Sequence, residues 1–144
     1  MNSRLPTAEH IFAKILEDRF DVKVGICKFT DEIGTLEVYS EVDLREVNVK
    51  ELEDETNRVI SKNLDVKKYM LSRGEAEKIV DLRKVPESVN QIRIVDIQDF
   101  DKRPCRDDHV DNTSEIGRMR IRSIERVGKD RYRFLFGVSE IIKF

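Results

Sequence analysis

Ala8, Ile11, Phe12, Ile15 and Leu16 recur every three or four positions. That spacing lays one apolar stripe along a helix and predicts a helix over 7–18. Pro6 suits a helix entrance, and Thr7 supplies an N-cap hydroxyl. Segments 22–29 and 34–40 are rich in β-formers and flank a short turn from Asp31 to Gly34, which predicts a hairpin. Asn48 and Glu51 have capping-box spacing at the head of a second helix over 49–62, with Val49, Leu52, Val59 and Ile60 on its apolar face. A strand over 65–72 follows. Ser72 and Glu75 then repeat the capping-box spacing before a short helix with Ala76, Ile79 and Val80 turned inward, and Pro86 marks a loop after it. Ile92, Ile94 and Ile97 predict a half-buried strand within 91–100. Residues 101–117 read as a polar loop. Strands over 118–127 and 131–140 close the chain around a Gly128-Lys129-Asp130 turn. Met119 and Ile121 lie on one face of the first, with Arg118, Arg120 and Arg122 on the other.

These elements amount to an α+β fold, a mostly antiparallel sheet with helices packed on one face, in one domain spanning 1–144. Open sheet edges are compatible with a monomer or a homodimer. The chain of 144 residues is long enough to bury a core without disulfides. Charged residues make up 39% of it, well above the usual quarter, and no run approaches the roughly 18 apolar residues of a membrane span. Two cysteines and no signal-peptide core at the N-terminus point to a reducing, cytoplasmic setting. The net charge of −2 is unevenly distributed, with +5 over 118–144 and −7 over 1–117. The arginine-bearing strand could face a phosphate backbone or stand as a solvated surface.

The chain has two histidines, His10 and His109. His109 follows Cys105 at C-x-x-x-H spacing, and a thiolate and an imidazole so placed can converge on one zinc ion. His10 sits on the shoulder of the first helix's apolar stripe. Glu9 and Asp108 are the carboxylates nearest these groups and the candidates for a general base, against the alternative of solvated surface acids.

Thr7-Ala8-Glu9-His10, followed by Ile11-Phe12, resembles the second half of H-T-A-x-H-hydrophobic. Cys105 to His109, with Thr113 and Glu115-Ile116-Gly117 in register, resembles C-x-x-x-H-x-x-x-T-G-E-I-G. In this order, with 95 positions from His10 to Cys105, the motifs resemble the alanyl-tRNA editing domain. That domain occurs in alanyl- and threonyl-tRNA synthetases and in free-standing AlaX proteins. The short AlaX form is the better match, because the chain opens near the first motif and ends soon after the last hairpin. The resemblance implies an editing-domain fold and zinc on His10, Cys105 and His109. Thr113 could contact the substrate or the terminal ribose, or serve as a turn hydroxyl bonding its own backbone. The face of the first hairpin that carries Cys27 could line the pocket, unless Cys27 is simply a small buried apolar residue. The family's remaining ligand position falls on Pro6, which has no donor; Asp107, Asp108, Glu9 or Cys27 could take its place. Arg106-Asp107 stands where Gly-Gly is common, and Ser114 where the second motif has glycine.

The implied function is a trans-acting hydrolase that deacylates Ser- or Gly-tRNA(Ala), with Arg118, Arg120 and Arg122 holding the acceptor end of the tRNA. Three protein ligands and an open position are the usual catalytic zinc arrangement, so three ligands are compatible with activity. The alternatives are a module that binds tRNA or a protein and has lost its metal, and a hydrolase for another aminoacyl ester or amide.

Overall fold

The N-terminal stripe becomes α1 (Arg4–Phe20), with Leu5, Ala8, Ile11, Phe12 and Leu16 fully buried. We describe residues 2–139 of the chain from a computed structural model. Helix α1 starts three residues earlier than its apolar spacing predicts. The Asn2 side chain accepts from the Arg4 and Leu5 N–H groups at 3.1 and 3.0 Å and does the capping expected of Thr7, which lies inside the helix. Pro6 is the third helical residue, where no intrahelical bond needs its missing N–H.

Strands β1 (Lys23–Phe29) and β2 (Gly34–Tyr39) form the expected hairpin, with a bulge between Val24 and Cys27. Helix α2 (Val49–Ile60) is capped by Asn48, whose side chain accepts from Glu51 N–H. Strand β3 (Val66–Ser72) runs into α3 (Arg73–Ala76), where Ser72 and Glu75 make both bonds of a capping box. Because α3 ends at Ala76, Ile79 does not turn inward and is 45% exposed. Strand β4 (Gln91–Ile97) buries Ile92, Ile94, Val95 and Ile97. The segment read as one polar loop begins with a strand, β5 (Asp101–Pro104), paired to β4. Gly117, at φ 87°, makes the left-handed turn into β6 (Met119–Gly128), which pairs with β7 (Arg131–Val138).

Every strand pairing is antiparallel, but the strands divide between two sheets, ordered β1-β2-β7-β6 and β3-β4-β5. The division follows from partner choice: β2 pairs with β7 from Gly34↔Phe136 to Tyr39↔Arg131, across most of the chain. Gly34 is required there, since a Cβ would sit 2.4 Å from the ring of Phe136. One core joins the two sheets and α1. Phe12 meets Phe134 edge-on, with ring centroids 5.2 Å apart and planes at 82°. Helix α1 touches β1, β2 and β7 of the first sheet and β5 of the second. It is therefore the element that brings the first motif to the second. Among the described residues no helix is long and apolar enough to cross a membrane.

Candidate metal centre and cavity

His10 ends the second turn of α1, the helix that touches β5, and it is 5% exposed. Cys105 and His109 lie in the loop leaving β5. Arg93 on β4 fixes the shape of that loop, since its Nη1 donates to the Cys105 and Asp107 carbonyls at 3.1 and 2.8 Å. The far end of the loop is tied to α1. Val110 N–H donates to Thr7 Oγ1 at 3.2 Å, and His109 Nδ1 lies 3.0 Å from the same oxygen. Residues 102 positions apart are thus held side by side.

The outcome is a cluster in which one donor atom each from His10, Cys105 and His109 lies within 4.8 Å of the others. His109 Nε2 is 3.3 Å from Cys105 Sγ, and the two imidazole centroids are 4.5 Å apart. His10 Nδ1 is buried without a hydrogen-bond partner, a costly state for a polar atom unless something occupies the space between the donors. Burial holds His10 well below the ordinary imidazole range, and burial, helped by Arg93 and Lys68, brings His109 down to about 4. Both are neutral near pH 7, the form that binds a metal. Burial pushes the Cys105 thiol up to about 11, so a metal would have to displace its proton, as a dication does. Two imidazoles and a thiol fit zinc in chemistry and count, with Pro6 supplying nothing.

A cavity of about 570 Å³ opens beside the cluster, of the size that holds small ligands. Its wall includes His10 and Cys105, the β1 side chains of Val24, Cys27 and Phe29, and the charged Glu9, Lys84, Arg103 and Asp107. Glu9 is only 7% exposed. Burial raises its carboxyl to about 7 against the opposing pull of Arg103 and Lys84. Burial also pushes the Cys27 thiol above its ordinary range, with the Glu9 charge adding to the effect. Lys84 Nζ donates to the Gly25 carbonyl at 3.0 Å and straps the loop after α3 onto β1. Arg103 bridges Asp101, at 2.7 Å, and Glu17.

Two candidates lie elsewhere. Asp108 is exposed and is not part of the cavity wall, whereas Glu9 and Asp107 are, and Asp107 Oδ2 lies 3.6 Å from Cys105 Sγ. Thr113 is fully buried away from the cavity. Its hydroxyl donates to the Ile60 carbonyl and accepts from Leu64 N–H, both at 2.9 Å, and so ties the end of α2 to the second motif. Arg120 and Arg122 are exposed on the edge strand β6, and Arg118 is exposed immediately before it. Three strand spacings separate β6 from the cavity-lining β1, on the order of 15 Å. Sequence reasoning did not find Arg93, Arg103 or Lys84. The pairing of β4 with β5 brings Arg93 and Arg103 to the site, and the loop after α3, held to Gly25, brings Lys84.

Residues 92–134, which contain the second motif, match the family model described as the threonyl and alanyl tRNA synthetase second additional domain. The chain is 31% identical over 148 residues to the alanine–tRNA ligase of Methanopyrus kandleri, covering 96% of this chain and 16% of the ligase. It is 38% identical over 102 residues to an alanine–tRNA ligase of Saccharolobus islandicus, covering 68% of this chain and 11% of the ligase. It is 27% identical over 142 residues to the alanyl-tRNA editing protein AlaX-M of Methanosarcina mazei, covering 95% of this chain and 56% of that protein. The chain thus spans about half the length of that editing protein and less than a fifth of the ligases.

Proposed function

Since the chain belongs to the alanyl-tRNA editing domain family, we propose that it hydrolyses the ester joining serine or glycine to alanine tRNA. The observation that carries this reading is the meeting of His10, Cys105 and His109 beside a cavity of about 570 Å³ whose wall includes His10 and Cys105. His10, Cys105 and His109 would hold zinc, which supplies Lewis-acid polarisation of an ester carbonyl when bound.

The chain's own residues do the rest. Glu9, one residue from His10 on the cavity wall, receives the proton of the attacking water at its carboxylate and passes it to the leaving ribose oxygen. Val24, Phe29 and Cys27 form the apolar side of the cavity and exclude bulk water from the ester. Lys84 gives the wall positive charge toward the phosphate of the terminal nucleotide, while Arg103, already paired with Asp101 and Glu17, stiffens the wall. Arg118, Arg120 and Arg122 hold acceptor-stem phosphates farther along the sheet, so only the 3′ end enters the cavity. The logic of such a site is physical. Serine differs from alanine by a hydroxyl and glycine by a missing methyl, differences that an apolar synthetic pocket rejects weakly, so a second hydrolytic site raises accuracy. A protein acting on aminoacyl-tRNA would work alongside translation, which agrees with the cytoplasmic setting expected from the sequence.

The test is a deacylation panel with metal analysis. Protein purified without added zinc should carry close to one zinc per chain, and a Cys105→Ala variant should carry none. Ser-tRNA(Ala) or Gly-tRNA(Ala) should be hydrolysed and Ala-tRNA(Ala) spared, with activity lost on chelation and restored by zinc. Equal rates on all three with and without chelator refute the proposal. Metal-free, folded protein that binds tRNA without turnover supports the binding-module alternative instead.

A further inference from the structure

Thr7 stands inside the first motif yet takes no part in the scheme above. Its side chain is fully buried and has three polar neighbours. The Ser3 carbonyl oxygen is 2.9 Å from Oγ1, the Val110 backbone nitrogen 3.2 Å and His109 Nδ1 3.0 Å. A hydroxyl has one proton to give and two lone pairs to offer. The Ser3 carbonyl can only accept, and the Val110 N–H can only donate. The imidazole Nδ1 can do either, depending on its tautomer.

The two tautomers are not equivalent here. If Nδ1 were unprotonated, the single Thr7 proton would have to point at His109. Thr7 Oγ1 and the Ser3 oxygen would then face each other at 2.9 Å with no proton between them. If Nδ1 carries the proton, all three contacts form at once. Thr7 donates to Ser3, and its two lone pairs receive Val110 N–H and His109 Nδ1–H. The helix supports this choice, because a threonine rotamer that bonds the carbonyl four residues back is one of the two that a helix admits. We infer that Thr7 is a positioning residue that locks His109 in the Nδ1–H tautomer and leaves the Nε2 lone pair facing Cys105 Sγ, 3.3 Å away. The hydroxyl thereby prepares His109 to ligate through Nε2, as outer groups do for metal-bound histidines generally. The inference rests on the ligand role proposed for His109.

The experiment starts from the metal-free wild-type protein, ¹⁵N-labelled, near pH 7, where both imidazoles are neutral. Long-range ¹H–¹⁵N correlation of the rings reports the tautomer directly, and a His10→Gln variant assigns which ring is which. His109 should show a protonated Nδ1 and an unprotonated Nε2. The reverse pattern overturns the inference without recourse to any Thr7 variant. Thr7→Val and Thr7→Ser then test the consequence by zinc competition against a chromophoric chelator. Thr7→Val should mix the tautomers and weaken zinc binding roughly 10- to 100-fold, while Thr7→Ser stays within about threefold of wild type. A folded Thr7→Val protein with the wild-type tautomer and zinc affinity also overturns it. The two readings fail separately. Absence of zinc binding with Nδ1 protonated removes the hydrolase scheme and leaves the tautomer lock, whereas zinc-dependent deacylation with Nε2 protonated does the opposite.

Discussion

Replacing Thr113 by valine removes one hydroxyl and keeps the shape of the side chain. That hydroxyl satisfies two backbone groups, the Ile60 carbonyl at the end of α2 and Leu64 N–H beyond it, at 2.9 Å each in a site with no solvent access. Valine can replace neither bond. Each group left unsatisfied costs about 1–3 kcal/mol, so the pair should cost about 3 kcal/mol once local relaxation is allowed for. For a chain of this length that lowers the melting temperature by roughly 10 °C. Thr113→Ser keeps the hydroxyl and loses one methyl, at about 1 kcal/mol. Urea unfolding followed by circular dichroism reads both, with the midpoint moving and the slope unchanged. Deacylation measured well below the melting transition should match wild type for both variants, because the hydroxyl does not reach the cavity. A Thr113→Val protein that keeps its stability but loses deacylation would refute this reasoning and restore the substrate contact that the second motif implies.

Glu9→Gln should lower the deacylation rate by about 10²–10⁴ with zinc content unchanged, measured by single turnover on the preferred mischarged tRNA. Replacing Arg118, Arg120 and Arg122 together by serine should weaken tRNA binding and flatten its salt dependence by about two to three ions, with hydrolysis of a short aminoacyl-minihelix end far less affected. Gly34→Ala forces a methyl into the Phe136 ring and should cost about 1–3 kcal/mol in urea unfolding, and Phe136→Leu in the same chain should recover part of that loss.

The parts of the fold with strong periodicity were legible from the chain alone. Ile11, Phe12, Ile15 and Leu16 define α1, and the β4 isoleucines define a buried strand, because burying one face leaves few other arrangements for such patterns. Strand β5 was not legible. Asp101-Lys102-Arg103 has no apolar residue, and its extended form is held by pairing to β4 and by the ion pairs of Arg103, both properties of the assembled structure. The split into two sheets was hidden for a similar reason, since alternation assigns a residue to a face but does not choose a strand's partner. At the site, C-x-x-x-H spacing made Cys105 and His109 visible, and the family resemblance added His10. A threonine beside a ligand motif reads equally well as a contact or as a tie, and the burial of Thr113 away from the cavity, which favours the tie, belongs to the folded structure. Thr7 was read as a cap because it follows a proline, whereas Asn2 reaches the helix end first.

The pairing of β2 with β7 has a bearing on the order in which the molecule can be made. Gly34 waits for Phe136 and Leu36 for Phe134, so the first hairpin leaves the ribosome about 95 residues before the strand that completes its sheet. Until then the apolar stripe of α1 lacks Phe134 as its partner, and until residues 105 and 109 emerge His10 lacks both other donors. Such long loops make assembly slow relative to a helical bundle of the same size. They also leave the stripe exposed to neighbouring chains while synthesis continues. A metal arriving early finds a single histidine, so it cannot nucleate folding as it does in a zinc finger. The three donors can meet only once the loop from 105 to 109 has docked on Thr7, from which His109 is 102 residues away along the chain.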